Sequence, residues 1–102
     1  MMFDCLNIEQ LCGFDWDEEN IQKNKLKHSL DYWLIEEIFF NEPLLIYEDN
    51  AHSEQECRCY ALGKTDGTHR LFVPFTVRGQ KIRVISARPM SKKERDYYEK
   101  NS

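Results

Sequence analysis

The stretch RCYALGKTDGTHRLFVPFTVRGQKIRVISAR, running from Arg58 to Arg88, decides the fold class. Arg58–Lys64 and Arg70–Val77 are rich in aromatic and β-branched side chains, and Thr65-Asp66-Gly67-Thr68 between them is a hairpin signal. Arg78-Gly79-Gln80 marks a second tight turn, after which Lys81–Arg88 reads as a further strand. Upstream, Leu44–Tyr47 is short and apolar enough to join them. Pro74 cannot donate to a sheet ladder, so its position predicts either an edge strand or a bulge. These segments together predict a small antiparallel sheet of about four strands.

Helical patterns flank the sheet. Asp15-Trp16-Asp17-Glu18 offers either aspartate as a cap, and the acids suit the positive end of a helix that runs to about His28. Asp31 is placed to cap a second helix through Trp33, Ile35, Ile38 and Phe39, which Asn41-Glu42-Pro43 then stops. Ser91-Lys92-Lys93-Glu94 is a capping-box sequence opening a last helix to about Lys100. Two N-terminal helices, a sheet and a C-terminal helix make an α+β arrangement. Residues 1–12 read as an N-terminal extension with a short helix near Ile8–Leu11, and residues 13–102 as one domain.

The 102 residues suffice to bury a core without a metal or disulfides. No apolar run approaches the roughly 18 to 20 residues of a membrane span, and Met1-Met2-Phe3-Asp4-Cys5 lacks a secretory pattern, so a cytoplasmic protein is expected. In that compartment Cys5, Cys12, Cys57 and Cys59 are expected as reduced thiols. Cys57-x-Cys59 with His52 falls short of a zinc site, because Cys5 and Cys12 are too widely spaced to complete it. Charge is unevenly spread along the chain. Residues 1–57 carry 14 acids against 3 Lys/Arg, a balance of −11, whereas residues 58–102 carry 4 against 11, a balance of +7. Such a division favours a positive face that attracts polyanions, although a solvated basic helix and loop would give the same count.

An ordered set of short motifs adds a resemblance. Phe14-x-Trp16-Asp17, Asn24-x-x-Lys27-His28, His52-Ser53-x-x-Glu56-x-Arg58, Thr76-x-Arg78-Gly79, Arg83-x-Ile85-Ser86-Ala87-Arg88 and Glu94-Arg95-x-x-Tyr98 follow one another in this order. The series resembles the BrnT family of toxins from bacterial type II toxin–antitoxin pairs, over about residues 13–100. That resemblance implies a fold similar to RelE-like ribonucleases, endoribonuclease activity that blocks translation, and a BrnA-type antitoxin. It further implies that DNA is engaged only indirectly, through the antitoxin, and that a homodimer can occur within the toxin–antitoxin complex. Three departures stand out: Ser29 where the family usually has glycine, Pro74 within a strand, and the extra residues 1–12.

Metal-free RNA cleavage needs a base for the ribose 2′-hydroxyl, an acid for the leaving 5′-oxygen and cations for the phosphate. His28 is the best acid–base candidate because its ordinary pKa lies nearest neutrality; a histidine serving the helix end, or bonded to Asn24, is the competing reading. Lys27 and Glu56 are further catalytic candidates, the latter as a base or as a partner of Arg58. Arg83 and Arg88 are the expected phosphate clamp, with Arg58, Arg78 and Ser86 as further RNA contacts and Tyr98 as a ring on which a base could stack. Strand alternation puts Ser86 and Arg88 on one face and Lys81, Arg83 and Ile85 on the other. The two arginines can therefore share a site only if a bulge intervenes or Arg88 lies past the strand end. Glu94 is assigned to the capping box. No cofactor and no metal are expected, since no ligand set has metal-site spacing. A non-catalytic RNA-binding or regulatory domain, or a degenerate toxin retained as an antitoxin's partner, fits the same arginines.

Overall fold

The computed structural model describes residues 13–49, 58–67 and 69–101. Helix α1, Glu18–His28, is capped by Asp17, whose carboxylate accepts from the Glu19 amide at 2.8 Å. It ends at Ser29, which takes the left-handed conformation at φ 58° and donates its amide to the Asn24 and Lys25 carbonyls. This is the conformation for which glycine is the usual choice, so serine performs the turn at a steric cost.

The second helix is shorter than expected. α2 covers only Tyr32–Glu37, and the chain tightens into a 3-10 turn over Ile38–Phe40. Asp31 stands at the cap position without a side-chain capping bond, and its carboxylate pairs with Lys25 at 2.9 Å instead. Strand β1, Leu45–Glu48, pairs antiparallel with β2, Arg58–Lys64, which pairs with β3, Arg70–Arg78. The expected fourth strand divides in two: β4, Lys81–Val84, and the two-residue β5, Arg88–Pro89, both pair with β3. Helix α3, Lys92–Asn101, completes an α+β fold with, among the described residues, three α-helices and an antiparallel sheet. Its capping box is reciprocal: the Ser91 hydroxyl accepts from the Glu94 amide at 3.2 Å, while the Glu94 carboxylate accepts from the Ser91 amide at 2.8 Å.

Pro74 is not on an edge strand; β3 is central, with Tyr60 opposite Pro74 on the β2 side. The bulge half of the expectation explains it. Phe75 faces Val84 and Phe72 faces Arg88, so the chain from β4 to β5 carries one residue more than the β3 segment it faces. The Pro74 carbonyl accepts from the Ile85 amide at 2.9 Å, on this same side. A strand residue's N–H and C=O point the same way, so the missing N–H of Pro74 faces the break in the ladder and costs nothing on the β2 side.

Odd-numbered residues of β2 and β3 form the inner face. Phe75, Val73, Leu71, Ala61 and Cys59 pack there against Leu30, Ile35 and Ile38, all essentially inaccessible to water. Each large side chain so buried contributes about 1.5–3 kcal/mol. Gly63 is required at this contact, since a Cβ there would lie 2.9 Å from the Cβ of Ile38. The Phe14-x-Trp16 motif pins the chain across this layer. Phe14 bridges Ile82 and meets Phe39 edge-on at 5.6 Å, and the Trp16 Nε1–H donates to Glu36 at 2.7 Å. Even-numbered residues form the outer face, one end of which is roofed by α3 through Leu62, Met90 and Tyr98.

Candidate nucleic-acid interface

Cross-strand partners point to the same side of a sheet, so the register locates the basic residues. Arg58 on β2, Thr76 on β3 and Arg83 on β4 form one row, and Arg78 with Lys81 forms the next. In the other direction Phe72 faces Arg88. All these β3 partners are even-numbered, so Arg58, Arg78, Arg83 and Arg88 share the outer face. The extra residue between β4 and β5 shifts the parity that would otherwise put Arg83 and Arg88 on opposite sides. With strands about 4.8 Å apart and a rise of about 3.3 Å per residue, the Arg58 and Arg83 Cα atoms lie roughly 10 Å apart and those of Arg83 and Arg88 roughly 13 Å. Ser86 lies half-buried in the bulge itself.

These arginines gather on one face, yet Arg58, Arg83 and Arg88 lie beside carboxylates. Arg83 reaches Asp15 and Asp17, both at 3.4 Å, and Arg58 Nε lies 3.8 Å from Asp49. Long, partly exposed pairs of this kind are worth at most about 1 kcal/mol and yield readily to a better anion. Arg88 differs. Its two terminal nitrogens meet the two oxygens of Glu94 at 2.8 Å each, and its guanidinium sits 4.3 Å above the Phe72 ring. The fork beside Glu94, with the Ser91 amide, holds that carboxyl below its ordinary pKa against the opposing effect of burial. Arg88 is therefore held rigidly, but a phosphate must displace Glu94 to take its fork.

His28 and Lys27 end α1, which passes beside β5. His28 is half-buried and Lys27 exposed. The hydrogen bonds of Arg83 and Arg88 go to Asp15, Asp17, Pro89 and Glu94, and none goes to His28. Asn24 Nδ2 is buried with no hydrogen-bond partner among the described residues, so it does not donate to His28. Tyr98 is displaced from the expected role. It is 2 % exposed, packs with Leu62 and Met90, and donates its hydroxyl to the Pro43 carbonyl, so no ring face remains for a base. Glu56, His52, Cys57, Cys5, Cys12 and the whole N-terminal extension lie outside the described residues. Cys59 is a buried free thiol, pushed up to about 11 by burial and by Glu48 and Asp49, and so stays protonated at neutral pH.

Four aromatic residues of the same face were missed by the sequence reading. Tyr97, Tyr47, Tyr60 and Phe72 follow one another at centroid separations of 5.9, 5.5 and 5.4 Å, and Arg88 stands over the last ring. A signal for them existed: Tyr60 shares the parity of Arg58, and Phe72 that of Arg78, so cation and ring alternate on one side of each strand. The Tyr47 hydroxyl donates to that of Tyr97 at 2.7 Å; burial first, and that bond second, push Tyr47 up to about 12. Among the described residues no three His, Cys, Asp or Glu side chains converge as metal ligands would, and no helix is long and apolar enough to cross a membrane.

Comparison with known proteins assigns this architecture. A search of curated protein sequences gives no significant match. Among solved structures, the ribonuclease toxin BrnT of Brucella abortus superposes with a TM-score of 0.59 at 26 % identity, covering 78 % of this chain and 97 % of that one. The family described as ribonuclease toxin, BrnT, of type II toxin–antitoxin systems matches residues 16–94. That span holds the capped α1, the whole sheet, the bulge and Glu94, and the chain belongs to the BrnT family of ribonuclease toxins.

Proposed function

We propose that this toxin cleaves RNA without a metal, by attack of the ribose 2′-hydroxyl on the adjacent phosphorus, and that the scissile phosphate is held on the outer face of the sheet by Arg83 and Arg88. The observation that carries the reading is the one-residue bulge between β4 and β5, after which Arg83 and Arg88 lie on the same side of the sheet along β3. In the reaction the 2′-oxygen–phosphorus bond forms as the phosphorus–5′-oxygen bond breaks, leaving a 2′,3′-cyclic phosphate and a free 5′-hydroxyl. Guanidiniums stabilise the charge that gathers on the non-bridging oxygens. His28, at the end of α1 beside β5, is the acid–base group of this proposal and Lys27 an auxiliary cation. Glu56 remains a candidate base, with Arg58, Arg78 and Ser86 extending the contact to flanking phosphates.

The family's type II character calls for an antitoxin and an RNA target. We assign the antitoxin to the BrnA type, engaging DNA on the toxin's behalf, and read residues 13–102 as a single RelE-like toxin domain. The domain would work in the cytoplasm and enter its antitoxin complex as a homodimer.

The test is cleavage of a defined RNA in excess chelator, with both product ends mapped. Wild type should cut and leave cyclic phosphate ends. Arg88→Ala should weaken RNA binding and cleavage together, whereas His28→Ala should lower the rate by roughly 100- to 10,000-fold with binding retained. Activity that vanishes in chelator and returns with magnesium refutes metal independence. Full activity in both folded variants moves the catalytic centre elsewhere.

A further inference from the structure

The ring series at the α3 end of the outer face has no place in the cleavage chemistry, and its geometry is that of a surface rather than of a core. Tyr47, Tyr60, Phe72 and Tyr97 line an open groove of about 660 Å³ whose rim carries Lys93 and Glu94. Beneath it the second core is already closed by Leu62, Met90 and Tyr98. Tyr97 is 45 % exposed, and the other three rings are only partly buried. Neighbouring rings are tilted by 57°, 32° and 40°, so they do not stack flat on one another, and all four line the groove. The series ends at Phe72, under Arg88, where the rows of basic residues on the same sheet face begin.

We propose that this groove is a nucleobase-stacking subsite for single-stranded RNA. The proposal rests on the reading that the arginine face holds the phosphate. Two features favour RNA over an apolar protein segment. The groove opens at one end onto Arg88, Arg83 and Arg58, which suit a phosphate chain and not an apolar helix. Four of its seven lining residues are aromatic, and base–aromatic stacking is tolerant of sequence because every base has a π-face. The hydroxyl bond between Tyr47 and Tyr97 fixes two of the rings across the gap between β1 and α3, so the platform is ordered before a strand arrives.

The experiment uses the full chain and a short single-stranded RNA with 2′-O-methyl sugars, which cannot be cleaved through the 2′-oxygen. Binding is measured by fluorescence anisotropy across a salt series, with a matching strand that carries abasic positions. Tyr97→Ser, at an exposed position that leaves the fold intact, and Tyr60→Leu should each weaken binding by roughly 5- to 150-fold while the salt slope stays unchanged. Wild type should lose a similar factor on the abasic strand, where Tyr97→Ser should cost little more. Equal affinity of wild type for both strands overturns the proposal. So does a Tyr97→Ser variant that binds the intact strand like wild type; if that variant instead loses a co-expressed antitoxin, the groove belongs to a protein partner. A chain that binds with base dependence but cleaves no native RNA sustains this inference and refutes the ribonuclease mechanism; cleavage without base dependence does the reverse.

Discussion

Replacing Glu94 by glutamine separates the two tasks that this carboxylate performs. Glutamine keeps an oxygen for the Ser91 amide, so the capping box survives. What disappears is the negative charge 2.8 Å from both terminal nitrogens of Arg88. A pair of this exposure, even when bidentate, is worth about 0.5–1 kcal/mol, which lowers Tm by about 2–8 °C in a domain of this size. The effect on RNA should have the opposite sign. Wild-type Arg88 releases few counterions because Glu94 offsets its charge; once the carboxylate is gone it acts as a full phosphate contact. Each such contact steepens the dependence of log K on log salt by about 0.7 for a single strand. Glu94→Gln should therefore bind RNA more tightly at 50 mM salt, and between 50 and 200 mM lose roughly threefold more affinity than wild type does. The assay is equilibrium binding of a non-cleavable oligonucleotide over that range, with Arg88→Ala alone and combined with Glu94→Gln as controls. A folded Glu94→Gln variant whose slope equals that of wild type would refute the assignment of Arg88 to phosphate. The steepening should also vanish in the double variant.

Three further outcomes follow from single features of the fold. Ser29→Gly should stabilise the domain by about 0.5–1 kcal/mol, because a left-handed serine costs about 1–2 kcal/mol and glycine returns part of that as chain entropy; a thermal melt about 2–8 °C higher checks it. Gly63→Ala should destabilise by about 1–3 kcal/mol in a denaturant titration, since the new Cβ would lie 2.9 Å from Ile38 Cβ and 3.3 Å from Leu44 Cδ1. Tyr47 titrates near 12 in the folded state against about 10 unfolded, so its contribution to stability is complete below pH 10 and lost as pH rises through 12. Tyr97→Phe removes the acceptor of its hydroxyl, and an ultraviolet tyrosinate titration should show the Tyr47 transition moving back toward 10.

Local signals in the sequence were reliable where short-range chemistry decides the outcome. Asp17 caps α1, His28 ends it, Arg58–Lys64 is a strand as read, and Ser91 with Glu94 closes a reciprocal capping box. The failures arise where a distant segment decides. Lys81–Arg88 reads as one strand because nothing within it signals where β3 will be rejoined; the break is set by Pro74, which cannot supply an amide at that point of the ladder. The parity of Arg88 follows from that break and so was not legible from its own segment. The second helix fails to reach Phe39 as a regular helix, and its 3-10 turn is the part that presses Ile38 against Gly63. On α3 the tyrosine read as exposed for stacking, Tyr98, is buried, and it is its neighbour Tyr97 that lines the groove. A step of about 100° around the helix separates the buried ring of Tyr98 from the groove-lining ring of Tyr97.

The charge division along the chain also means something different in three dimensions. The first half's excess of acids does not stay on the far side of the sheet. Asp15 and Asp17 enter beside β4 because the backbone of Gly13–Asp15 exchanges hydrogen bonds with Ile82, and Asp49 follows β1 to the flank of Arg58. The outer face is thus a set of arginines held by carboxylates, not a bare cationic surface. A bare cluster would bind any polyanion, duplex or single strand, through counterion release alone. Carboxylates that must be displaced reduce this non-selective attraction, and more for Arg88, with its short bidentate pair, than for Arg83 with its long ones. Under the RNA-binding reading, the affinity forgone has to return through contacts that only an unpaired strand can make. Splayed bases supply planar faces and a duplex does not. On this logic the ring groove beside Arg88 and the carboxylates around the arginines are complementary parts of one selectivity device, the first rewarding single-stranded RNA and the second discouraging other polyanions.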